Sequence, residues 1–174
     1  MNANATSTLN STAELDSALD AIRSAPASVP RLIDFDETLF LRNSTEEYLR
    51  SAKPRFLAIF LLQFLEYVKP WRLCGTQRSK AVRDWVRVML ITTLFPWTRL
   101  LWPCRARVLA QTDENGQLAE AIAHNPASPV IIASNGFDFI IRPILQHMKS
   151  PWDQLIACRA FLGAIDRCRG KNSS

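Results

Sequence analysis

Leu32-Ile33-Asp34-Phe35-Asp36-Glu37-Thr38-Leu39-Phe40 places two carboxylates two residues apart at the end of a short apolar run, with a threonine two residues further on. Residues i and i+2 of a strand point to the same side, so Asp34 and Asp36 are expected to share one site where a strand ends. Two acids that close repel unless a cation or a proton lies between them. The run is therefore a candidate for Mg²⁺-assisted chemistry on an anionic group. It equally fits a strand ending in a solvated, Asp-rich turn.

Around this run, alternation continues along the chain. Val29–Phe35 reads as a strand, with Pro30 at its start, where a missing N–H is tolerated. Asn43 to Glu47 reads as a helix start, with Ser44 capping and Glu47 closing a capping box. Phe56–Val68 is almost wholly apolar but too short to span a bilayer, which takes about 20 residues. A helix is expected from about Lys80 to Phe95, after which Pro96 and Pro103 should interrupt the chain. Residues 117–124 form a short helix, Val130–Ala133 a buried strand ending in Ser134-Asn135-Gly136, and Phe137 to about His147 a helix disturbed by Pro143. Leu155–Cys158 is a third strand. Strands alternating with helices predict an α/β fold with a parallel sheet, whose site lies beyond the carboxyl ends of the strands. Asp34, Asp36 and Ser134 all fall there.

The 174 residues suffice for one domain with an insertion, and the hydrophobic share of 48% excludes a largely disordered chain. Four cysteines without a C-x-x-C pair, and only two histidines, argue against a zinc site. The N-terminus is polar rather than basic-then-apolar, so a cytoplasmic protein with reduced thiols is expected. The net charge of +5 is unevenly spread: residues 53–107 hold eleven Lys and Arg against two acids, a balance of +9. Four of the five tryptophans fall in the same block. Basic and aromatic residues on amphipathic helices suit a membrane surface, although a helical bundle packed on its neighbour has the same pattern. Without a recognition motif, nucleic acid is not an expected partner.

Asp34-Phe35-Asp36-Glu37-Thr38 after the first strand resembles the first motif of the haloacid dehalogenase superfamily of phosphatases and phosphotransferases. Ser134 in Val130-Ile131-Ile132-Ala133-Ser134-Asn135-Gly136 is similar to its second motif, and Lys171 in Arg169-Gly170-Lys171 to its third. Glu37 stands where that family often has Gly. Residues 1–28, rich in Ala, Ser, Thr and Asn, read as a flexible polar tail in which Thr12–Ser24 is able to form one helix. The resemblance implies a Rossmann-like parallel sheet formed by residues 29–44 and 108–174 and a basic helical cap inserted at 45–107. It implies that Asp34 is the nucleophile and Asp36 the general acid and base, with Asp34 and the Asp36 backbone carbonyl holding Mg²⁺. Thr38, Ser134, Asn135 and Gly136 would bind substrate, and Lys171 would offset charge. Ser134 also fits a plain helix N-cap, and Lys171 a solvated terminal lysine. The implied substrate is a small or lipid-linked phosphate ester. The basic insertion would serve as a lid that attracts it, or as a contact with the membrane surface. After Lys171 the sequence reads Asn172-Ser173-Ser174, without the strand-end acids of the family's fourth motif, as expected either of a fragment of a longer protein or of impaired metal binding. The overall pattern also looks like the dehalogenase-type domain that can precede membrane-embedded polyprenyl prenyltransferases. That makes a catalytically weak regulatory or membrane-docking module the alternative to a phosphatase.

Overall fold

The computed structural model describes residues 17–70 and 79–159. Lys171 and the tryptophan at position 71 lie outside them. The chain is α/β, with a three-stranded parallel sheet in the order β1 (Arg31–Asp34), β2 (Val130–Phe137), β3 (Gln154–Cys158). Between β1 and β2 run α1 (Ser44–Arg50), α2 (Arg55–Val68), α3 (Ser79–Leu94), α4 (Pro96–Thr112) and α5 (Gly116–Ala123), and α6 (Asp138–Leu145) joins β2 to β3.

β1 is shorter than the expected 29–35. Val29 is taken up by a turn, its N–H on the Pro26 carbonyl, while its own carbonyl accepts the Ser128 hydroxyl. Within β1, Arg31 and Ile33 are buried while Leu32 and Asp34 face out, the alternation of a strand covered on one side. The buried Arg31 guanidinium donates to the carbonyls of Ile122 (3.0 Å), Asn125 (2.6 Å) and Ser128 (2.7 Å). It thereby satisfies the end of α5 and the loop into β2, where backbone acceptors would otherwise lack partners. Within the stretch 12–24 read as helix-forming, residues 17–23 are helical; Leu19 is buried, and Asn125 donates to the Ala25 carbonyl at 2.6 Å.

Two local expectations are corrected. Asn43, not Ser44, caps α1: its side chain accepts from the Glu46 N–H at 3.1 Å. Ser44 is already helical, and its N–H is committed elsewhere. Pro103 does not interrupt the chain, because α4 runs through it, with Pro96 at the helix start, where its fixed φ is favourable. An interior proline costs about 3 kcal/mol. The offsetting burial comes from neighbouring Trp102, which is fully buried and donates its indole N–H to the Ile140 carbonyl at 2.9 Å.

Helix α4 crosses the expected boundary at residue 107. The buried side chains form one cluster that joins Ile33, Phe35, Ile132 and Ile141 to Tyr48, Val88, Ile91 and Trp102. At its centre Tyr48 meets the rings of Trp102 (5.3 Å, 81°) and Phe139 (5.5 Å, 88°) edge-on, the arrangement aromatic quadrupoles favour. Burial pushes the Tyr48 phenol above its ordinary pKa. Among the described residues no helix is long and apolar enough to cross a membrane.

Candidate active site

Register places the site. Asp34 at the end of β1 pairs with Ala133 of β2, so Ser134 stands one residue past the pair. Regular pairing of β2 with β3 breaks between Ala133 and Phe137, which sets Ser134-Asn135-Gly136 off the ladder at the carboxyl end of the sheet. After β1 the chain turns sharply. Glu37 has φ 63°, the Leu39 and Phe40 N–H groups bond back to the Asp34 and Phe35 carbonyls, and the Glu37 N–H reaches the Arg42 carbonyl. The turn is clamped from outside by Asn115, whose backbone N–H reaches the Leu39 carbonyl (2.9 Å) and whose side chain reaches that of Thr38 (3.0 Å).

A left-handed conformation is costly for a residue with a Cβ, roughly 1–2 kcal/mol. Glu37→Gly should therefore raise stability by about 0.5–1 kcal/mol, once the greater freedom of unfolded glycine is deducted. Urea unfolding would read this as a higher midpoint at unchanged slope.

Asp36 is the hub. One carboxylate oxygen accepts the Ser44 N–H at 2.6 Å, the other the Ser134 hydroxyl at 2.8 Å. The Ser134 oxygen in turn accepts the Gly136 N–H at 2.8 Å. Gly136 is held close: a Cβ there would lie 2.8 Å from Ile141 Cδ1, 3.2 Å from Ser134 Oγ and 3.3 Å from Asp36 Oδ2. Asp34 is exposed, and its carboxylate accepts from the Thr38 hydroxyl at 3.3 Å.

Asp34, Asp36, Ser134, Asn135 and Gly136 line a single cleft of ≈ 450 Å³. Thr38 touches it only through Asp34. Sequence reasoning missed the cleft's other walls: Asn43, Thr45 and Glu46 from the start of α1, and Arg83 and Asp84 from α3. Nothing in a helical repeat announces that one turn of α3 overhangs a strand end. The lining holds five carboxylates (Asp34, Asp36, Glu37, Glu46, Asp84) against one guanidinium, Arg83. Arg83 is 3.2 Å from Asp84, and Arg87 bonds Glu46 at 2.8 Å. Among the described residues, then, the surplus of basic charge in the helical segment does not line this cleft.

An acidic cleft repels a phosphate unless a cation enters with it. The donors are hard oxygens, the kind Mg²⁺ takes, and Asp34 is the more exposed of the pair. Among the described residues no group of three His, Cys, Asp or Glu side chains converges as a metal-binding cluster, so Asp34 and Asp36 fit Mg²⁺ in the kind of oxygen they offer, without a third converging acid. Compared with family models, curated proteins and solved structures, the chain matches none.

Proposed function

We propose that this cleft is the active site of a Mg²⁺-dependent phosphatase of the haloacid dehalogenase type, with the sheet as its Rossmann-like core and the helical segment as its cap. The observation that carries the reading is the convergence of an exposed Asp34, a doubly anchored Asp36 and the Ser134–Gly136 turn in one cleft at the strand ends. Asp34 and Asp36 would hold the ion, which when bound neutralises phosphate charge and lets the anion enter an acidic cleft.

A carboxylate oxygen of Asp34 attacks phosphorus in line, forming the aspartyl-phosphate bond as the ester P–O bond breaks. Thr38 orients Asp34 through its hydroxyl. As found, Asp36 accepts on both oxygens, the arrangement of a base. When Ser134 turns its hydroxyl to a phosphoryl oxygen, one Asp36 oxygen is freed to carry the proton that passes to the leaving group. The same carboxylate then takes a proton from the water that hydrolyses the aspartyl-phosphate. The Asn135 and Gly136 backbone amides are the candidate donors to the transferring group. Lys171 is proposed to complete the charge balance. The substrate would be a small or lipid-linked phosphate monoester.

Hydrolysis of p-nitrophenyl phosphate by the full chain, with Mg²⁺ and then with excess chelator, tests the reading. Turnover that the chelator abolishes is expected, and its absence at every Mg²⁺ concentration would overturn it. Ser134→Ala should lower kcat about 10- to 100-fold, as loss of one donor to a phosphoryl oxygen does, with a smaller change in KM. The second reading, a catalytically weak module of this type, is favoured by the lack, among the described residues, of a third acid converging on the pair. Calorimetric Mg²⁺ binding without turnover would select it.

A further inference from the structure

Away from the acidic cleft, two helices leave apolar faces uncovered. On α2, Phe56, Phe60, Phe64 and Tyr67 recur at helical spacing along one side and are exposed, Phe60 at 68% and Tyr67 at 87%. On α4, Trp97, Leu100, Leu101 and Val108 do the same, with Leu100 78% exposed. The starts of the two helices meet where the Trp97 indole N–H bonds the Lys53 carbonyl just before α2. Large apolar side chains exposed in series along a helix face mark an interaction site rather than ordinary scatter.

Where the first turn of α2 meets α4, a second cleft of ≈ 600 Å³ opens, lined by Arg50, Lys53, Arg55 and Arg105 beside Leu101 and Val108. Its one carboxylate, Glu47, has a side chain 5% exposed and is shared among Arg42 (3.3 Å), Arg50 (3.2 Å) and Arg105 (3.7 Å). Lys53 and Arg55 have no carboxylate partner among the described residues. Among the described residues, four basic side chains are thus gathered here beside the apolar faces.

We propose that α2 and α4 dock on an anionic phospholipid bilayer. Their aromatic and aliphatic side chains enter the acyl boundary, and the Arg50–Lys53–Arg55–Arg105 cleft sits over headgroup phosphates. Three observations select this occupant. The 14 residues of α2 span about 21 Å at 1.5 Å per residue, short of a hydrocarbon core, so the helix lies in the interface plane. Its rim is basic, and α4 carries no acid at all, which complements anionic lipid. A second copy is disfavoured because a two-fold interface would set this basic rim against itself.

The proposal stands independently of the catalytic reading. Its test is co-sedimentation of the full chain with vesicles of phosphatidylcholine alone and of phosphatidylcholine with phosphatidylglycerol in equal parts. Binding to the anionic vesicles alone, weakened by salt, is expected. Phe60→Glu with Leu100→Glu, and separately Lys53→Glu with Arg55→Glu, should each lower partitioning about tenfold or more. All four side chains point to solvent or line the open cleft, and circular dichroism would check that the fold is kept. No binding to anionic vesicles at low salt overturns the proposal, as does binding that neither variant weakens. A dimer in sedimentation velocity that Phe60→Glu dissociates, without vesicle binding, would assign the face to a second copy instead.

Discussion

Asp34→Asn is expected to lower Mg²⁺-dependent hydrolysis of p-nitrophenyl phosphate by about a thousandfold or more, with the fold unchanged. Asparagine keeps the shape of the side chain but offers phosphorus no carboxylate oxygen, so no aspartyl-phosphate can form. In the proposed mechanism it also removes the carboxylate charge through which Asp34 would hold the cation. Losses of a nucleophile typically reach this scale because the remaining groups act only in concert with it. Little structural change should accompany the loss, since Asp34 is exposed and its side chain accepts a weak hydrogen bond from Thr38 at 3.3 Å. Asp36→Asn differs in kind. It also disturbs the bonds to Ser44 and Ser134, so its lost activity would come with lost stability. Equal rates in wild type and Asp34→Asn would refute the phosphatase reading.

The largest effect on stability is expected at Trp102. It is 1% exposed, packs edge-on against Tyr48 at 5.3 Å and bonds the Ile140 carbonyl. Trp102→Ala should cost about 3–5 kcal/mol through lost burial and the cavity left behind. In a chain of this size that lowers Tm by about 10 °C. Trp102→Phe keeps most of the apolar contact and forfeits the indole hydrogen bond, so a loss of about 1–2 kcal/mol is expected. A small effect of Trp102→Ala in calorimetry would show that α4 packs on the sheet more loosely than its burial implies.

Much of the site was legible because strand periodicity and register are short-range. A two-residue spacing puts Asp34 and Asp36 at one end of β1, and an apolar run ending in Ser134-Asn135-Gly136 puts those three at the matching end of β2. Parallel pairing then brings them together. Less legible was everything decided by tertiary packing. Arg31 sits buried in a strand because distant loop carbonyls need its donors. Pro103 is carried inside a helix by the burial of its neighbour. Asn43 takes the capping role because the Ser44 N–H serves Asp36. The charge of the helical block was legible only in part. Composition counts cations but not the faces they occupy: among the described residues Arg83 lines the acidic cleft, while Lys53, Arg55 and Arg105 line a different one.

The hydroxyl that closes on Asp36 belongs to a residue 98 positions further along the chain. A growing polypeptide lengthens by about 5–20 residues each second, so Asp36 waits roughly 5–20 seconds after its own synthesis for that partner. Throughout that interval β1 has no neighbouring strand, because its pairing in the sheet is with β2. The five helices made in between must be accommodated before the first strand is paired. Nascent chains arrested before Val130 should therefore leave β1 open to protease, and extension past Gly136 should protect it.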